Sequence, residues 1–177
     1  MTKSPSLVIV VIAVLLAVFG SIGLAAQDKY TVKVPNGLAL SEFRGYENWQ
    51  DVAVSQTETS LKAIVANPAM MDAYRNGIPG NGKKFPEGSK IVKIEWAAKK
   101  SAESPYFVMV PDTLKTVSVI VKDSKRFPDT NGWAYAQFAY DAASDTFKPN
   151  GTDAKCGYAC HTTVAARDYI FTAYPRR

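Results

Sequence analysis

Four runs rich in β-branched and aromatic residues crowd the middle of this chain: SKIVKIEW (Ser89–Trp96), YFVMV (Tyr106–Val110), TVSVIV (Thr116–Val121) and WAYAQFAY (Trp133–Tyr140). Residues of this kind favour the pleated, half-buried surface of a sheet. Alternation at period two sends successive side chains to opposite faces, so Lys93 shares a face with Ile91 and Glu95, while Val92, Ile94 and Trp96 take the other. The connections are too short for crossover helices, which predicts antiparallel pairing. Upstream, NPAMMDAYRNG offers Asn67 as a cap, Pro68 at the first helical position and Gly77 past the end. That pattern predicts a short helix over Pro68–Arg75. IPGNGKKFPEG is dense in Gly and Pro and reads as loop. After His161, TTVAARDYIFTAY has no breaker before Pro175, which predicts a C-terminal helix with the preceding residues at its head. The expected class is α+β, a mainly antiparallel sheet with flanking helices.

The first residues bear on compartment. Lys3 is followed by an apolar run from Leu7 to Phe19 and by small residues ending in Gly23-Leu24-Ala25, the pattern of an export signal over 1–25. The alternative is an uncleaved N-terminal membrane anchor, since the apolar stretch with its Gly-containing tail approaches the roughly 20 residues that span a bilayer. Either way residues 26–177 form one expected domain outside the cytoplasm, in the periplasm, where thiols oxidise or are used covalently. At roughly 150 residues it can bury a core without staples. The net charge of +5 is spread along the chain. Lys83-Lys84 and Lys99-Lys100 lack aromatic interleaving, so nucleic acid is not an expected partner.

Near the end stands KCGYACH, Lys155 to His161. The familiar haem-attachment run is C-x-x-C-H; here three residues separate Cys156 from Cys160. Three readings compete. Zinc needs about four ligands, and the chain holds two cysteines and one histidine. A disulfide between residues four apart is sterically feasible and common in exported proteins, but it leaves the adjacent histidine unexplained. Covalent haem uses all three residues, two thiols fixing the porphyrin and the imidazole ligating iron. Gly157 permits the local turn that the additional residue requires. Because His161 is the sole histidine, a bis-histidine electron-transfer haem within one chain is excluded.

The segment KDSKRFPDTNGWAYAQF (Lys122–Phe138), the order NPAMMDAYRNG…KKFPEGSKIVKIEW, and a C-terminal haem motif followed by ARDYIFTAYP resemble the cytochrome P-460 family. The resemblance runs from about Gly45 onward. It implies one covalent haem c held by Cys156, Cys160 and His161, with His161 as the iron ligand on one side of a five-coordinate iron, and a homodimer. In the enzymes of the family a lysine is joined to the porphyrin, and the matching position here is Lys93. Gas-binding relatives crowd the distal side with phenylalanine, for which Phe85, Phe107, Phe138 and Phe147 are candidates. A distal carboxylate would come from Asp141, Asp145 or Asp153. Met70, Met71 and Met109 are the methionines that a capped, electron-transferring iron would draw upon.

The expected function is therefore an exported mono-haem protein with an open iron site for a small gaseous or nitrogenous ligand, nitric oxide or hydroxylamine, with a periplasmic electron carrier as partner if it turns over. Oxidoreductase and ligand-binding protein are both left open by the residues. An electron-transfer cytochrome and a haem-free disulfide-containing domain are the alternatives.

Overall fold

A computed structural model describes residues 27–177; the expected signal or anchor over 1–25 lies outside the described residues. The fold is built on one six-stranded antiparallel meander, each strand pairing with the next in sequence. The strands are β1 (Gln50–Gln56), β2 (Ser60–Ala66), β3 (Lys90–Lys100), β4 (Met109–Lys122), β5 (Trp133–Asp141) and β6 (Thr146–Asn150). Short helices flank the sheet, so the α+β expectation holds at that level.

Between β2 and β3 lies α1, Pro68–Arg75, with the predicted bounds. Asn67 caps it, its side chain accepting a hydrogen bond from the Met70 N–H at 3.2 Å. The same oxygen accepts from Lys90 N at 3.0 Å, which locks the helix start to the head of β3.

The two sheet faces are covered differently. On one, Val92, Val117, Val119 and Phe138 pack under Leu38, Leu40 and Phe43 from the N-terminal segment. On the other, Ile64, Ile91, Trp133 and Tyr135 meet Met70, Met71 and Tyr74 of α1, together with Phe85 and Ile170. Each large side chain fully removed from water contributes about 1.5–3 kcal/mol. The second face is only partly covered, and the gap is where the site lies.

Two expectations are corrected. YFVMV is not a separate strand: Met109 begins a strand that continues through TVSVIV to Lys122, while Tyr106 and Phe107 stand exposed in the preceding loop. Pro111 is tolerated within it because β4 pairs with β5 only from Thr116 onward, so at Pro111 one edge of the strand has no ladder to donate into. The predicted C-terminal helix is also much shorter. A single α-helical turn, α2 (Tyr158–His161), passes into a 3-10 helix over Thr162–Arg167. There Asp168 (φ 49°) and Tyr169 (φ 64°) turn left-handed and end it. Tertiary bonds made by these two residues, described below, override the helical preference of the segment.

Candidate haem site

A cavity of about 350 Å³ opens on the partly covered face. The sheet supplies Ile64, Ile91, Lys93, Ser118, Ile120, Tyr135 and Gln137, and the C-terminal segment supplies Cys156, Gly157, His161, Ile170 and Phe171 opposite them. The register explains the gathering. Ile64 pairs with Lys93, Lys93 with Ser118 and Ser118 with Gln137, so one row crosses four strands on a single face.

The chain reaches this face from β6. Gly151 turns it back at φ 94°, and Tyr135 N–H donates to the Ala154 carbonyl at 2.8 Å, tying the returning segment to β5. Cys156 is thereby set against the sheet. Gly157 follows in a left-handed conformation (φ 93°, ψ −15°) as the N-cap of α2. His161 N–H then donates to the Gly157 carbonyl at 3.0 Å, closing the turn that carries the imidazole. The residue added to the usual cysteine spacing is thus accommodated by a glycine-dependent bend between Cys156 and the helical turn.

The imidazole is held on three sides. Its ring centroid lies 4.6 Å from that of Tyr135 and 4.8 Å from that of Phe171, the latter edge-on. Nδ1 is 2.5 Å from the Tyr169 carbonyl oxygen. A carbonyl only accepts, so Nδ1 carries the proton and Nε2 keeps its lone pair, the tautomer required of a metal ligand. Burial lowers the pKa of His161 below its usual value and outweighs the opposing effect of the Tyr169 carbonyl; the Lys93 ammonium acts in the same direction as burial. The ring is held neutral, as ligation requires.

Of the residues singled out in the sequence, Lys93, Cys156 and His161 come together on this cavity. Cys160 immediately precedes His161 but is exposed and is not part of the wall. Both thiols are free. Among the described residues no three His, Cys, Asp or Glu side chains converge as a metal-holding group, which leaves the zinc reading without a ligand set. Lys93 Nζ is 3.8 Å from Glu95, with the lysine side chain 38 % exposed. Glu95 also accepts from Ser60 Oγ at 2.8 Å.

The other candidates fall elsewhere. Phe85 is buried against Tyr74 and Trp133 beneath α1, Phe138 and Phe147 belong to the opposite face, and Phe107 is exposed. Asp141, at the end of β5, binds Lys148, Asp145 in the β5–β6 turn accepts from Tyr140, and Asp153 accepts from the Lys155 N–H. Met70 and Met71 are core residues of α1, and among the described residues no methionine lines the cavity. Sequence reasoning missed Phe171, Ser118, Gln137 and Tyr135. Ser118 was the legible one, the single residue that is not β-branched in the run TVSVIV. It accepts from Gln137 Nε2 at 3.2 Å, and Gln137 Oε1 accepts from Asn150 at 2.8 Å. Tyr135 is 2 % exposed and its hydroxyl has no hydrogen-bond partner among the described residues.

An isoleucine-lined cavity with a thiol on its wall and a neutral imidazole whose second nitrogen is committed to a carbonyl has the donor set and apolar lining that suit a haem. The family model described as Cytochrome P460 matches residues 43–172, and the chain belongs to the cytochrome P460 family. Membership implies a haem cofactor. No curated protein matches the chain.

Proposed function

We propose that this is an exported mono-haem cytochrome in which Cys156 and Cys160 hold the porphyrin as haem c, His161 ligates the iron, and the other axial position takes a small nitrogenous ligand such as nitric oxide. The observation that carries the reading is the 2.5 Å bond from His161 Nδ1 to the Tyr169 carbonyl, which leaves Nε2 as the nitrogen for iron. When bound, the haem supplies the open coordination site and one-electron chemistry. Ile64, Ile91, Ile120 and Ile170 exclude water from it, and Ser118, fixed by Gln137, presents a hydroxyl whose proton is available to a ligand.

Ligand binding is favoured over hydroxylamine oxidation by the polar groups of the wall. Oxidation releases protons and needs an acceptor, yet among the described residues the cavity is lined by ammonium, hydroxyl and amide groups and by no carboxylate. Glu95, the carboxylate next along the Lys93 face of β3, is engaged by Lys93 and Ser60. The ion pair also holds Lys93 in a role other than attack on a porphyrin edge, and Lys93 remains uncrosslinked.

Intact mass and the pyridine haemochrome spectrum of protein made with a haem-maturation system test the cofactor. Anaerobic nitric oxide titration is expected to give stoichiometric binding to a high-spin resting iron. Hydroxylamine turnover with an artificial electron acceptor is expected not to exceed that of a free haem peptide; faster turnover would replace binding by catalysis. The same reading carries a periplasmic location and a homodimer, checked by fractionation and by sedimentation.

A further inference from the structure

We propose that the buried Lys122–Asp168 pair is a positioning device for His161, pinning the left-handed turn whose carbonyl orients the imidazole and so setting the strength of the iron–histidine bond. The proposal rests on the reading of His161 as the haem ligand.

Lys122 ends β4 on the cavity side of the sheet, next in the alternation Ser118, Ile120. Its side chain is 4 % exposed and that of Asp168 is 2 %. Lys122 Nζ donates to both carboxylate oxygens, at 3.0 and 3.2 Å, and to the Asn131 carbonyl at 3.3 Å. It lies 4.8 Å from the Trp133 ring centroid. Asp168 Oδ2 accepts a further bond from Phe85 N at 2.9 Å. One carboxylate therefore joins the end of β4, the loop before β3 and the C-terminal segment.

That carboxylate sits at the turn. Asp168 and Tyr169 are consecutive non-glycine residues at positive φ, a conformation that persists only where the surroundings over-determine it. Released, the pair would relax toward the right-handed conformation of the preceding 3-10 helix, carrying the Tyr169 carbonyl away from Nδ1. The hydrogen bond from Nδ1–H raises the basicity of the ligating nitrogen and fixes the ring plane. A buried ion pair is often no more stabilising than apolar residues of the same volume. Its use here is geometric, holding a strained turn at the one place where a backbone carbonyl must meet the iron ligand.

Asp168→Asn and the double variant Lys122→Met/Asp168→Asn test this in the haem-loaded full chain. Asparagine keeps an acceptor for Phe85 N–H, and the double variant leaves no unpaired buried charge. With covalent haem confirmed by mass, both variants are expected to show the ferrous iron–histidine stretching band at lower frequency and broadened in resonance Raman spectra, and a raised midpoint potential. Melting temperatures that drop while the band and potential stay at wild-type values would reduce the pair to a fold staple and overturn the proposal. The sole histidine supplies a second readout that needs no haem. Its ring nitrogens in the 15N-labelled full chain should report the Nδ1–H tautomer in wild type and a mixture in the variants. A wild-type ring protonated on Nε2 would refute the premise without any variant. If the wild-type chain carries no haem, the haem reading fails, and the tautomer still decides whether the pair positions His161.

Discussion

Replacing Gly157 with alanine probes how the chain absorbs the additional residue between its cysteines. Gly157 sits at φ 93° and ψ −15°, where a Cβ is disfavoured by about 1–2 kcal/mol. A Cβ built there would lie 3.8 Å from His161 Cδ2 and 3.8 Å from Tyr135 Cδ1, ordinary contacts, so the loss is conformational and not steric. For a domain of this size about 1 kcal/mol corresponds to 2–4 °C, giving an expected drop of about 2–8 °C in melting temperature. Gly45 is the control, since its φ is 84° and nothing lies within 4 Å of its would-be Cβ. Gly45→Ala should lose similar stability. Only Gly157→Ala should also lower the fraction of protein with covalently bound haem, because relaxing φ at 157 displaces Cys156 relative to His161. Scanning calorimetry and haem-to-protein ratios decide it. Equal haem occupancy in the two variants at equal destabilisation would refute the idea that this glycine sets the cysteine–histidine geometry.

His161 should leave a pH signature in haem-free protein. Its folded-state pKa is depressed from 6.5, chiefly by burial. Its contribution to stability is therefore complete above about pH 6.5 and is lost as pH falls and the unfolded chain takes up the proton first, down to the folded pKa. The slope of melting temperature between about pH 7 and pH 5 should flatten in His161→Gln, and identical slopes would contradict the assignment. For Lys93, tryptic mapping of haem-loaded protein should yield a haem peptide containing CGYACH alone; co-elution of a Lys93 peptide with haem would make the cross-linked, oxidising form the better description. Phe138→Ala, at a fully buried residue of the opposite face, should cost about 3–5 kcal/mol by denaturant titration while leaving the nitric oxide affinity of the surviving folded protein unchanged.

Local chemistry made parts of this structure readable in advance. The Asn67-Pro68 start and the Gly77 end bracket α1, and alternation correctly assigned Val92 and Lys93 to opposite faces of β3, because both features depend only on near neighbours. QDVAVSQ and SLKAIVA form β1 and β2, yet their polar and alanine positions give a weak period-two signal next to the β-branched runs downstream. The C-terminal helix failed for a long-range reason. Asp168 meets Lys122, 46 residues away, and no pattern within TTVAARDYIFTAY announces that partner. Phe171 faces His161 only because that turn redirects the chain, so this edge-on partner of the imidazole escaped notice while four phenylalanines elsewhere drew attention.

The same contrast separates the cofactor from its use. Cys156, Cys160 and His161 lie within one short segment, so a motif can carry them. The groups that would meet a ligand, Ser118 and Gln137, come from two strands and converge only through register. Lys93 shows why a position has to be read together with its neighbours. Period two places it on the cavity face, as a cross-linking lysine would be, but the same period places Glu95 beside it, 3.8 Å from the ammonium. An amine drawn to that carboxylate is held away from a porphyrin edge. Glu95→Gln removes that hold without touching the cavity wall. If cross-linking is withheld by this pair, the variant should acquire a Lys93–haem bond on maturation, seen as a long-wavelength absorption band and a joined tryptic peptide. Unchanged spectra and peptides would show that Glu95 is not what keeps Lys93 from the porphyrin.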